Sequence, residues 1–168
     1  LGLDPAWAAK AISLAAAVAV VVLLARLERR WVGRRRVPLT WLLVLPLPAF
    51  AYWAVGTLEA MLFTALLLWG IAGLGREMDA GRARGAVLPF ALLVLLRPEG
   101  AFCFAVAAAA FFLVGWRERG ALGHLWRHLA NGAVVAAVLG ALLAWRWWYY
   151  GALVPNTFRA KVTGGPEQ

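Results

Sequence analysis

Cysteine occurs once in the 168 residues, as Cys103. A single thiol excludes an internal disulfide and offers no metal-ligand spacing, and its apolar surroundings make it a packing residue. Acidic residues are scarce too, eight against 17 Lys and Arg, and charged residues of both signs make up only 15% of the chain. A chain that is 64% hydrophobic with mean hydropathy +0.76 is too apolar for a soluble globular domain, whose apolar share is nearer half. The net charge of +9 would point to nucleic acid if it covered a polar surface. Here the basic residues fall in clusters separated by long apolar segments, which excludes a nucleic-acid partner and points to a membrane. No internal repeat is visible. No basic stretch leads into a short apolar run and a cleavage site, so no signal peptide is read. With Leu1 at its start and the polar tail "KVTGGPEQ" at its end, the chain is expected to be part of a longer protein.

What remains is an all-α, polytopic transmembrane helical bundle. Crossing a bilayer as helix takes about 20 apolar residues. Residues 6–25 meet that length, with Lys10 close enough to one end to extend its amine to the interface. From Val37 to Gly75 the only charge is Glu59, and the run is long enough for two helices. The break is expected at "VGTLE", residues 55–59, where Gly56 permits a turn and Thr57 can cap the second helix. Glu59 then stands in a first turn, where a carboxylate is favoured by the helix dipole. Residues 86–116 are broken at "RPEG", because Pro98 lacks a donor and biases Arg97 away from helix. They fit either one long span or a hairpin of two short ones. A last span covers about 129–148 and ends in the aromatic cluster "WRWWYYG". The total is about five to six membrane segments, with residues 1–150 forming the transmembrane region and 151–168 a juxtamembrane segment.

The basic clusters orient this bundle. "RLERRWVGRRR" (26–36) holds six Arg, and "REMDAGRARG" (76–85) and "WRERGALGHLWRH" (116–128) hold three each. The positive-inside rule puts all three in the cytoplasm, and only the hairpin form of 86–116 allows this. Glu59, the RPEG break and "YYGALVPNTFRAK" (149–161) then share the outer side.

Several residues on that side admit two readings. Arg97 and Glu99 either form an ion pair that stabilises a turn or line a wet cavity, the usual setting for ionisable groups and irregular backbone at membrane depth. Glu59 is either a dipole-favoured helix start or part of the same cavity. Arg159 and Lys161 are juxtamembrane positives on the side where positives are scarce, which tilts them toward an anion such as a lipid phosphate. Tyr149 and Tyr150 suit interface anchoring as well as ligand contact, and Asn156 after Pro155 suits a turn as well as a hydrogen bond to substrate. His124 and His128 are read as solvated loop residues, with no metal site. The small residues of 13–20 and 132–144 permit close helix contact.

Taken together, "VGTLEAMLF" (55–63), "LLRPEGAF" (95–102) and "RWWYYGALVPNTFRAKV" (146–162) resemble bacterial polytopic membrane glycosyltransferases of the GT-C type. The order and spacing look most like the terminal arabinofuranosyltransferases of the actinobacterial cell wall and their uncharacterised relatives. The resemblance implies transfer of a sugar, arabinofuranose or mannose, from a polyprenyl-phosphate donor to a cell-envelope glycan at the outer face of a bacterial plasma membrane. Membrane lipids are the other implied partners. It leaves the cofactor unknown, a divalent metal among the options.

In such enzymes a base deprotonates the acceptor hydroxyl and cations stabilise the departing lipid phosphate. The resemblance implies substrate-binding roles for Glu59, Arg97, Glu99, Tyr149, Tyr150, Asn156, Arg159 and Lys161, with the three cations facing the phosphate. The catalytic acid motif is expected upstream of Leu1, since Asp4 does not match it, and a soluble outward domain downstream of Gln168. This stretch alone is then expected to be inactive. A transporter or flippase for a lipid-linked or anionic substrate would also use broken helices and ionisable residues, but should show repeats and polar groups near the midplane. A non-catalytic scaffold would tolerate substitution of Glu59 and RPEG.

Overall fold

The computed structural model describes residues 5–33, 39–56, 58–80, 85–119 and 122–151. Every regular element among them is α-helix: α1 (Pro5–Trp31), α2 (Leu39–Val44), α3 (Pro48–Gly56), α4 (Leu58–Ala80), α5 (Val87–Leu96), α6 (Gly100–Arg119) and α7 (Leu122–Tyr150). Three helices are long and apolar enough to cross a membrane, over Pro5–Trp31, Glu59–Ala80 and Leu125–Tyr150, while Val87–Leu96 and Gly100–Gly115 are shorter apolar helices.

The boundaries follow the chemistry of the chain. Pro5 opens α1 and Pro48 opens α3, at first-turn positions where a missing N–H is harmless. One uninterrupted helix is expected after Val37, but α2 stops at Val44. Pro46 and Pro48 remove two donors in three residues and bias Leu45 and Leu47 away from helix. The next break falls where expected, since α3 ends at Gly56 and α4 begins at Leu58; Thr57 lies outside the described residues.

Three expected loops are shorter than read. α1 continues through Arg26, Glu28, Arg29 and Arg30 to Trp31, α4 continues through Glu77 to Ala80, and α7 starts at Leu122. The apolar run measures the thickness of hydrocarbon, whereas the helix goes on wherever side chains find partners. His128 is accordingly no solvated loop residue. It is half-buried on α7, edge-on to the Phe112 ring of α6 with centroids 6.4 Å apart.

Polar contacts at the two ends fix the helix directions. At one end Arg30 pairs with Asp79 and donates to the Gly75 carbonyl. There the Glu28 carboxylate accepts from the N–H groups of Leu39 (2.8 Å) and Thr40 (3.0 Å). At the other end Ser13 Oγ donates to the Trp53 carbonyl at 3.4 Å, and Arg97 meets Glu59. So α1 and α4 run parallel, and α2–α3 and α5 run against them.

The buried residues form two clusters. Ala16, Ala17 and Val20 of α1 pack on Ala54 of α3 and on Met61 and Ala65 of α4, as the small residues of 13–20 foretell. The larger cluster joins Leu66 and Leu74 to Phe90, Leu93, Val94, Phe104 and Val135, with Cys103 packed at its edge. Phe90 and Phe104 are fourteen residues apart, about 21 Å along one straight helix. Their ring centroids are 5.1 Å apart, so α6 turns back along α5. The stripe at 132–144 behaves differently: Gly132 lies near Phe104, but Gly140 has nothing within 4 Å.

Candidate functional site

Pro98 shapes the junction between α5 and α6. Arg97 before it is extended, with φ −147° and ψ 131°, as the proline ring requires. Its N–H still closes the last turn of α5 on the Leu93 carbonyl at 2.8 Å. The chain then reverses within three residues, with the Gly100 N–H on the Arg97 carbonyl (2.9 Å) and the Cys103 N–H on the Glu99 carbonyl (3.1 Å). Gly100 is required there, because a Cβ would stand 2.7 Å from the Leu93 carbonyl carbon and 2.8 Å from the Val94 nitrogen.

This turn carries the Arg97 guanidinium to the first turn of α4. Nε donates to Glu59 Oε1 at 2.5 Å, and the two side chains are 46% and 48% exposed. Of the two carboxylates near the break, it is Glu59, 38 residues away in the chain, that holds Arg97. Glu99 is exposed and acts on Arg97 through its charge. The hydrogen bond to Glu59 raises the guanidinium above its ordinary pKa, and an arginine is a permanent cation in any case. A guanidinium has five N–H donors, and the ion pair engages it through one edge. The remaining donors suit a phosphate or another oxyanion, with Glu59 fixing the orientation.

Tyr149 and Tyr150 end α7, both exposed. Trp145 stacks on Tyr149 with centroids 5.7 Å apart, and Tyr150 stands edge-on to Tyr149 at 4.7 Å. A contact between Glu77 and Asn131 near the opposite end gives a common origin. Along the helices from there, Glu59 is about 27 Å away on α4 and Tyr150 about 28 Å away on α7. The aromatic cluster and the Arg97–Glu59 pair thus belong to one end of the bundle. Asn156, Arg159 and Lys161 lie outside the described residues.

The chain matches no family model, no curated protein and no solved structure. The site therefore rests on its own geometry.

One polar centre escapes the sequence reading. Glu77, placed there in a charged loop, is 4% exposed. Its Oε1 accepts from the Ala86 N–H at 3.1 Å and its Oε2 from Asn131 Nδ2 at 2.8 Å. Arg127 Nη1 donates to its backbone carbonyl at 3.4 Å. The carboxylate thus caps the N-terminus of α5, where negative charge is favoured, and joins α4, α5 and α7. Asn131, a polar residue in an otherwise apolar helix run, is the one sequence signal that could have announced it.

Proposed function

We propose that this chain is part of a membrane glycosyltransferase of the GT-C type, acting at the outer face of a bacterial plasma membrane on a polyprenyl-phosphate sugar and a cell-envelope glycan. In this reading α2–α3 together make one broken crossing, and α5 and α6 form a broken hairpin whose tip is RPEG, giving six segments. The observation that carries it is the Arg97–Glu59 pair. A permanent cation, half exposed and held by a carboxylate from another helix, stands at an interruption of the backbone. That is the equipment for receiving an anionic headgroup and for stabilising the phosphate as it departs. The sugar and lipid classes are those implied by the resemblance that the three motifs named above carry. Glu59 acts as a positioning residue, and Tyr149 and Tyr150 support the acceptor side or anchor the helix.

The decisive experiment is Arg97→Ala in the whole protein, assayed in membranes for transfer from a polyprenyl-phosphate sugar. Loss of a phosphate-stabilising donor lowers turnover by about 10²-fold; Arg97→Lys retains part of the rate, and thermal stability changes little because the pair is half exposed. Unchanged transfer in Arg97→Ala refutes the reading. A second reading, transport of a lipid-linked or anionic substrate, is favoured by the interruption of two segments, α2–α3 and α5–α6. Movement of the labelled lipid across proteoliposomes without transfer would select it.

The orientation has its own test. With Cys103→Ala as background, Glu99→Cys is expected to react with a membrane-impermeant maleimide added outside intact cells. Reaction only after permeabilisation would invert the proposed topology.

A further inference from the structure

A long groove runs between α1 and α4, and its charged end opens beside the start of α5. Its walls are mainly Ala15, Ala19 and Ala72 with Val22, Leu23 and Leu62, around a cavity of about 660 Å³. Beside the close α1–α4 contact the side chains on this face are short, so the space along it stays open. Its far end differs in chemistry, because Arg26 and Arg30 from α1 and Arg76 from α4 all line it. A second cavity of about 730 Å³ adjoins it through Arg30, Trp69 and Arg76, and adds Asp79. Asp79 pairs with Arg30, so the three guanidinium groups retain two positive charges in excess.

We propose that this groove binds an anionic phospholipid, with its phosphate among Arg26, Arg30 and Arg76 and an acyl chain along the alanine walls. Three observations support this occupant. Arg26 and Arg30 are four residues apart and share one face of α1, opposite Arg76, so three donors converge on one headgroup. From Arg26 to Ile12, which lines the other end, α1 extends about 21 Å, more than the roughly 15 Å of one hydrocarbon leaflet. An apolar channel bordered by cations matches a lipid whose headgroup is negative, whereas a zwitterionic headgroup brings a cation of its own to the same place. The site is independent of the glycosyltransferase reading, since its charged end is the end opposite Glu59 and Arg97.

The test uses the full chain, purified in detergent and delipidated, with the fluorescence of Trp69 isolated as the difference between the protein and its Trp69→Phe variant. Phosphatidylglycerol and phosphatidylcholine brominated at mid-chain serve as quenching ligands. Phosphatidylglycerol is expected to half-saturate at about tenfold lower mole fraction, and the preference to fall within about twofold in R26Q/R76Q. Arg29→Gln removes a neighbouring charge that does not line the groove, and should leave the preference unchanged. Ala15→Phe fills the exposed wall with the arginines intact, and should abolish quenching by either lipid. Equal half-saturation by the two lipids in the unaltered protein overturns the proposal. A preference that survives R26Q/R76Q, or one that Arg29→Gln removes equally well, overturns it in favour of diffuse surface charge. Quenching undiminished by Ala15→Phe removes the groove from the account.

Discussion

Glu77→Ala is expected to lower the unfolding free energy by roughly 2–6 kcal/mol, because it leaves two buried donors without their acceptor at about 1–3 kcal/mol each. The donors are the Ala86 N–H and Asn131 Nδ2. Both depend on a carboxylate that is 4% exposed, so water has little access to replace it. Glu77→Gln keeps an acceptor for Ala86, and Asn131 can rotate its amide to offer oxygen to the new NH₂ group; its effect should be well under half as large. Thermal unfolding in detergent micelles measures both. Equal effects for the two variants would mean that charge at the start of α5, and not hydrogen bonding, is what Glu77 contributes.

A Cβ at position 73 should be the next most damaging change. Gly73 lies on α4 where α5 begins, and a methyl group there would stand 2.7 Å from Ala86 Cα and 3.0 Å from its nitrogen. These are backbone atoms, so no rotamer change relieves the clash. The start of α5 must move, and with it the N–H that Glu77 holds. Gly73→Ala is expected to destabilise by about 1–3 kcal/mol, and Gly73→Leu by more. Faster alkylation of the half-buried Cys103 would accompany it as α6 loosens. Gly140→Ala is the matched control: nothing lies within 4 Å of its Cβ position, and helix propensity favours alanine by up to about 1 kcal/mol. A stable Gly73→Ala protein would show that α4 and α5 are not in close contact.

The contrast between Arg97 and Glu77 explains what is legible in such a chain. Arg97 stands out because its immediate neighbours are apolar and Pro98 follows it, so a break and an exposed cation are local deductions. Its pairing with Glu59 is less accessible, since Glu59 and Glu99 are equally good partners until the direction of the turn is known. Glu77 looks unremarkable among Arg76, Asp79, Arg82 and Arg84. Its burial depends on Ala86, nine residues on, and Asn131, 54 residues on, a coincidence that no local pattern encodes. Pro46 and Pro48 were in plain view, yet the long uncharged run around them favours a count by hydropathy over a count by hydrogen-bond donors. The helices read at 6–25 and 129–148 are present with longer ends and are long and apolar enough to cross a membrane, because hydropathy reports where the hydrocarbon is and says little about where a helix stops.

The capping of α5 also bears on the order in which the bundle is built. A ten-residue helix extends about 15 Å, half the hydrocarbon thickness, so α5 by itself is shorter than a straight crossing. During synthesis α4 emerges with Glu77 before Ala86 exists to meet it, and Asn131 follows only after α6 is complete. Asn131 is therefore the last of the three partners to be synthesised, and the beginning of α7 completes the contact that joins α4, α5 and α7.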